Sequence, residues 1–204
     1  MTKDAMFWQY FARDEEVIFR FEKDQKRVFA RLTEELRRVH PDLTFEFGPV
    51  IEGARDFVIS AGGIKKAFPA VEKLYSAKPE LKRFRVIKFR PRRQVVSDIN
   101  YGGLVIRSKD VYYHLVGDDK DVNKVGILLF LPGHSKGKEA EFGNIGYLML
   151  DEAVGEYAVE MYLSAIEMMG HDSPHFEGAH PISELGEHFA EVISTKIPRT
   201  GPLH

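Results

Sequence analysis

The sequence predicts an α+β protein, an antiparallel sheet with helices packed on it, built as two similar β-β-α-β halves. Three observations carry this expectation. The first forty residues place their apolar side chains at helical spacing, the period switches to two at Leu43, and the order strand, strand, helix, strand occurs over 43–90 and again over 104–169. With 204 residues, of which 44% are hydrophobic and 29% charged, the chain has the length and composition to bury a core as a single domain, 1–204.

Within the helical segment 1–40, Phe7, Phe11, Ile18, Phe21, Val28, Leu32, Leu36 and Val39 mark the apolar face. Asp14, Glu15 and Glu16 interrupt it, so a short aromatic helix over 3–12 is expected, followed by a longer one to Val39 that Asp14 caps. His40-Pro41 ends that helix, because the residue before proline avoids helical geometry. Leu43, Phe45 and Phe47 then alternate with polar neighbours, Glu52-Gly53 makes a turn, and Phe57, Ile59 and Ala61 form the return strand. Gly62-Gly63 breaks the strand, a helix follows with Pro69 near its start, and 84–89 form a third strand.

The second half opens with a short strand at 104–107, then a strand through Val111, Tyr113 and Leu115 and a turn at Gly117-Asp118-Asp119. The run 125–131 is apolar on both faces, as a central strand requires. Phe142, Ile145, Leu148, Met149 and Val154 lie on a helix that Gly155 caps. Tyr157, Val159, Met161, Leu163 and Ala165 alternate and read as the last long strand. The C-terminal segment 170–204 holds one helix through Ile182, Leu185, Phe189 and Ile193; residues 195–204 carry no period.

Composition excludes whole classes of function. A chain with no cysteine has no disulfide, thiolate zinc site, iron–sulfur cluster or cysteine nucleophile. A formal charge of −2 sets up no global field to recruit nucleic acid or an acidic membrane. The opening residues lack the apolar core of a signal peptide, and no apolar run approaches the roughly 20 residues of a membrane helix, so a cytoplasmic protein is expected.

Three constellations are candidates for function. His171, His175 and His180, with Asp172 and Glu177, place three imidazoles and two carboxylates within one segment, a donor set for zinc or a similar divalent ion; the same segment also reads as a solvated loop. Residues 82–93 are basic with Phe84 and Phe89 interleaved, a pattern that suits single-stranded RNA or, at Arg90, Arg92 and Arg93, a phosphate or carboxylate. The alternative there is a packed strand whose cations pair with acids such as Glu139, Glu141, Asp151, Glu152, Glu156 and Glu160. Phe7, Trp8 and Phe11 sit on a helix that is aromatic nearly all round, which points either to a core or to a contact with a second copy or a protein partner. The 131–138 loop fails the spacing of a phosphate loop, and Ser60 lacks the preceding glycine of a nucleophile elbow.

The chain resembles a family of uncharacterised bacterial proteins that open with Phe-Trp-x-x-Phe, here Phe7-Trp8-Gln9-Tyr10-Phe11. The likeness continues through His40-Pro41-Asp42-Leu43-Thr44-Phe45-Glu46, Phe57-Val58-Ile59-Ser60-Ala61, Phe89-Arg90-Pro91-Arg92 and Leu150-Asp151-Glu152-Ala153-Val154-Gly155-Glu156-Tyr157. The family is a domain of unknown function, so the resemblance implies a bacterial, cytoplasmic origin and assigns no active residue. The resulting expectation is a non-catalytic binding or regulatory module without a cofactor. The alternatives are a metal-dependent enzyme working through 171–180 and an RNA- or anion-binding protein working through 83–93.

Overall fold

Thr2 opens the first helix by accepting a hydrogen bond from the Ala5 N–H, 3.2 Å, and Asp4 adds a negative charge to its first turn. In the computed structural model, which describes residues 1–118 and 121–196, this helix is α1 (Lys3–Arg13). The fold class is α+β. Contacts divide the chain into two compact units, Met1–Arg90 and Pro91–His204, where the sequence reads as a single domain. Proline at 91 suits such a boundary, because it denies the chain an amide for continued pairing.

In the first unit α1 is followed by α2 (Glu15–Phe19), a 3₁₀ turn at Phe21–Lys23 and α3 (Gln25–Val39). The long second helix of the sequence reading is therefore broken. Asp24 is the residue whose carboxylate caps α3, accepting from the Arg27 N–H at 3.4 Å. Asp14 makes no side-chain cap, because Arg13 takes both of its oxygens at 2.9 Å.

Strands β1 (Thr44–Ile51) and β2 (Ala54–Ser60) form a hairpin, then α4 (Phe68–Ser76) crosses to β3 (Phe84–Lys88). The β1–β2 turn is Glu52-Gly53, with φ of 53° and 79°, the double left-handed geometry of a two-residue hairpin loop. The sheet order is β1-β2-β3; β2 pairs antiparallel with β1 and parallel with β3, so the sheet is mixed, not purely antiparallel. A parallel neighbour needs a crossover, which α4 supplies. The third strand stops at Lys88, one residue earlier than its pattern suggests. Phe89 turns left-handed at φ 61°, held by its N–H on the Ile59 carbonyl at 2.7 Å and its ring on Phe68 at 4.5 Å.

Phe47, Phe57 and Phe84 share one sheet face, and the aromatic helix lies on it. Phe11 stands 4.6 Å from Phe57 and 5.0 Å from Phe84, and the Trp8 Nε1–H donates to the Leu74 carbonyl at 2.8 Å. Phe7, Trp8 and Phe11 are 1%, 3% and 0% exposed. This overturns their reading as an interaction surface: the three side chains fill the core of their own unit, each contributing about 1.5–3 kcal/mol of burial. Arg55, also on this face, is 6% exposed at its side chain, lies over the Phe21 ring at 4.6 Å and holds Glu22 at 2.7 Å.

The second unit begins with a small hairpin, β4 (Ile99–Tyr101) and β5 (Leu104–Ile106), of which the sequence pattern showed only β5. It continues through β6 (Tyr112–Gly117), β7 (Val125–Phe130), α5 (Glu139–Val154), α6 (Glu156–Tyr162), β8 (Leu163–Met169), β9 (His180–Pro181) and α7 (Leu185–Lys196). Its sheet runs β8-β7-β6-β9, with β7 antiparallel to β6 and parallel to β8, the same pairing order as β1, β2 and β3. The expected strand through Tyr157, Val159 and Met161 is helix α6. Val159 and Leu163 are buried four residues apart while Tyr157 is exposed, so the helical period governs; Gly155, at φ 92°, restarts the helix and its carbonyl accepts the Val159 N–H. Of the expected turn at Gly117-Asp118-Asp119, Asp119 lies outside the described residues; of the expected tail 195–204, Thr195 and Lys196 belong to α7 and 197–204 lie outside the described residues.

The core of this unit joins Tyr113, Ile127 and Leu129 on one sheet face to Phe142, Ile145 and Met149 of α5 and to Leu185, Phe189 and Ile193 at the α7 end. Two glycines permit the close packing. Gly146 brings α5 against Leu129 and the Met168 side chain, and a Cβ on Gly186 would stand 2.7 Å from the Ala153 carbonyl oxygen at the end of α5.

Two stability measurements check this packing. Trp8→Ala lowers the unfolding free energy by about 3–5 kcal/mol in a denaturant titration and leaves the sedimentation mass unchanged. Gly186→Ala costs about 1–3 kcal/mol, because the clash is with backbone, whereas Gly143→Ala, with open space around its new methyl, gains up to about 1 kcal/mol of helix propensity.

Candidate functional site

The strand β8 delivers the chain to the histidine segment, which folds as successive tight turns. Ser173 N–H donates to the Gly170 carbonyl, Phe176 N–H to Ser173 and Ala179 N–H to Phe176, each at 3.1 Å. These turns send the three imidazoles to different neighbours. His171 stacks on Phe176 at 4.6 Å, and its buried Nε2 has no hydrogen-bond partner among the described residues. His175 is exposed. His180 enters β9 opposite Tyr113, its Nδ1 3.5 Å from a Glu184 carboxylate oxygen. Among the described residues no three His, Cys, Asp or Glu side chains are placed to hold one metal ion, so the trio His171, His175 and His180 is not a ligand set.

A different cluster is assembled instead. The Tyr113 ring, with no exposed surface, places its hydroxyl 2.8 Å from Nδ1 of His188 on α7. Burial pushes the phenol up to about 12, with the Glu184 charge adding to the effect. A neutral phenol can donate or accept, so the direction of this bond follows the His188 tautomer. His180 lies 5.4 Å from His188 and 6.4 Å from His114, ring to ring. The signal in the sequence was the spacing His180, Glu184, His188, which puts one face of a helix start beside the strand; nothing in spacing brought Tyr113 or His114 to it.

Beside this cluster an open groove of about 550 Å³ follows β6. His114, Val116 and Leu128 line it from the sheet face opposite the core, and Pro174, His175 and Glu177 line it from the histidine segment. His114 Nε2 lies 3.2 Å from the Glu177 carbonyl and so acts as its donor, tying the loop to the strand. Val116, 39% exposed, is an aliphatic side chain of the lining. The other sheet-face residues here, Tyr112 and Phe130, are covered by Phe176 at 5.4 Å each.

The basic segment is engaged in pairing. Arg85 holds Asp56 at 2.7 Å, Lys88 holds Glu72 at 3.0 Å and Arg90 holds Glu46. Arg92 donates to the Gly186 carbonyl at 2.8 Å, and Arg93 pairs with Glu152 at 3.4 Å. Glu152, one of the acids that the sequence offers as partners, pairs with this segment through Arg93, and Asp56, Glu72 and Glu46 come from the first unit's own strands and helix. The anion candidates Arg90, Arg92 and Arg93 all have protein partners.

Two weaker motifs are likewise absorbed into structure. In the 131–138 loop the Gly137 N–H donates to the Glu139 carboxylate at 2.8 Å, and hydrogen bonds from its own N–H and that of Gly137 hold the Glu139 carboxyl below the usual range. Ser60 is fully buried and accepts the Gly62 N–H at 2.9 Å. No family model, no curated protein and no solved structure matches the chain.

The buried phenols set an alkaline limit. Tyr113 and Tyr10 are each pushed up to about 12, so the unfolded chain loses those protons from about pH 10 while the folded chain keeps them. Stability is accordingly full below pH 10 and falls between about pH 10 and 12. In Tyr113→Phe the slope of unfolding free energy against pH over that range is shallower, and absorbance titration shows one late-ionising tyrosine fewer.

Proposed function

We propose that this chain is a non-catalytic binding module and that its ligand site is the groove along β6. The groove itself carries this reading: an exposed valine and Leu128 give apolar contact, while His114, His175 and Glu177 surround them with hydrogen-bonding groups. Apolar contact with convergent polar groups is the usual make-up of a recognition site. Among the described residues the metal-dependent alternative has no converged ligand set, and the RNA or anion alternative would have to break existing ion pairs.

The shared pairing order of β1-β2-β3 and β6-β7-β8 supports reading the two halves as copies of one β-β-α-β unit, with the groove belonging to the second copy. The Phe-Trp-x-x-Phe resemblance supports a bacterial, cytoplasmic setting.

A fragment screen by amide and methyl NMR tests the site. Small apolar amines and amides are expected to shift Val116, Leu128 and His175, and Val116→Asp to weaken the neutral amides about tenfold, the worth of one buried valine contact. Fragments that leave these residues unmoved, or cluster at Arg90, Arg92 and Arg93, overturn the assignment.

A further inference from the structure

We infer that the free edge of β6 receives an extended peptide segment of a partner protein, antiparallel, in the register that β9 begins. This rests on the groove being the ligand site and names what fills it. β9 pairs with only two positions, Pro181 opposite Tyr112 and His180 opposite Tyr113. The Ile182 N–H donates to the Val111 carbonyl at 2.9 Å, so Val111 points its backbone groups outward, and by the two-residue period of a strand so do Tyr113, Leu115 and Gly117. Pro181 falls at an inward position of this ladder, where its missing N–H costs nothing.

Beyond His180 the chain leaves the edge. Ala179 is turned back onto Phe176, and Gly178 is left-handed at φ 75°. Among the described residues no strand pairs with the outer side of Leu115 or Gly117, so two outward N–H and two outward C=O groups remain on the edge. Other edge strands carry devices that block pairing: β1 has a register shift between Phe47 and Val50 around Pro49, and the β7–β8 ladder is irregular at Val125 and Gly126. The β6–β7 ladder is regular throughout, and His114, Leu115, Val116 and Gly117 include no lysine, arginine or carboxylate.

The register defines the peptide. A residue opposite Val116 projects its side chain onto the groove face, beside Val116, Leu128 and His175, and is aliphatic. Glu177 is the only carboxylate, ammonium or guanidinium among the lining residues, so a lysine or arginine next to that aliphatic residue complements the groove. Strand addition of this kind takes affinity from main-chain bonds and specificity from alternate side chains.

The test pans a phage-displayed library of short random peptides against the full chain and maps the winners by amide exchange. Enriched peptides share an aliphatic residue beside a Lys or Arg, and on binding they slow exchange at the Leu115 and Gly117 amides by about tenfold or more. Gly117→Pro, which removes one edge N–H without touching the β7 ladder, weakens them about tenfold, and Glu177→Lys selects against their basic residue. Should Gly117→Pro fail to fold, protection of the Leu115 and Gly117 amides in the unaltered chain decides the question alone. Peptides that bind without protecting Leu115 and Gly117, or a library that yields none, overturn strand addition. Fragment binding at Val116 in that event leaves the groove standing as a ligand site, so the two failures are told apart.

Discussion

Each unit depends on one constraint: a central strand that pairs antiparallel on one edge and parallel on the other. β2 and β7 both do this, and the parallel edge forces a crossover of helix length, supplied by α4 in one unit and by α5 with α6 in the other. In the second unit the crossover takes one face of the sheet, the side chains of that face become the core, and a loop lies on the opposite face. That loop is the histidine segment, and the groove is the space where its cover of the sheet ends.

The histidines illustrate how local chemistry is redistributed by packing. Within one segment they suggest a shared ion; in the fold each is fixed by a different aromatic or backbone neighbour. His171 is used as a flat ring on Phe176, His180 as a strand residue beside Tyr113, and His175 alone faces the groove. The same applies to the basic segment, where Asp56, Glu46 and Glu152 take up arginine charges and Glu72 takes up that of Lys88. Polar groups that looked free in one dimension are largely committed in three.

Edges, by contrast, are where the fold leaves capacity over. A strand's two sides carry equal numbers of donors and acceptors, and β6 spends one side on β7 and only the start of the other on β9. Because the unpaired stretch adjoins a groove lined by Val116, Leu128 and a carboxylate, backbone and side-chain recognition coincide in one place.

The alternating Phe45, Phe47, Phe57 and Ile59, the Glu52-Gly53 turn, the doubly apolar 125–131 run and the Gly155 cap were legible because each is a local pattern read by neighbours within a few residues. The strands Tyr112–Gly117 and Phe84–Lys88 were legible for the same reason, with errors of a residue at the ends. Local periodicity failed at Glu156–Tyr162, where a seven-residue stretch fits period two and period 3.6 alike and only the burial of Val159 and Leu163 decides. Tertiary structure alone determined the parallel partners, the split at Arg90, the burial of Trp8 and the meeting of Tyr113 with His188, because each joins residues far apart in the chain. By itself the sequence specified the elements; which of their polar groups stayed unpaired, and hence where a ligand fits, depended on contacts that no window of sequence contains.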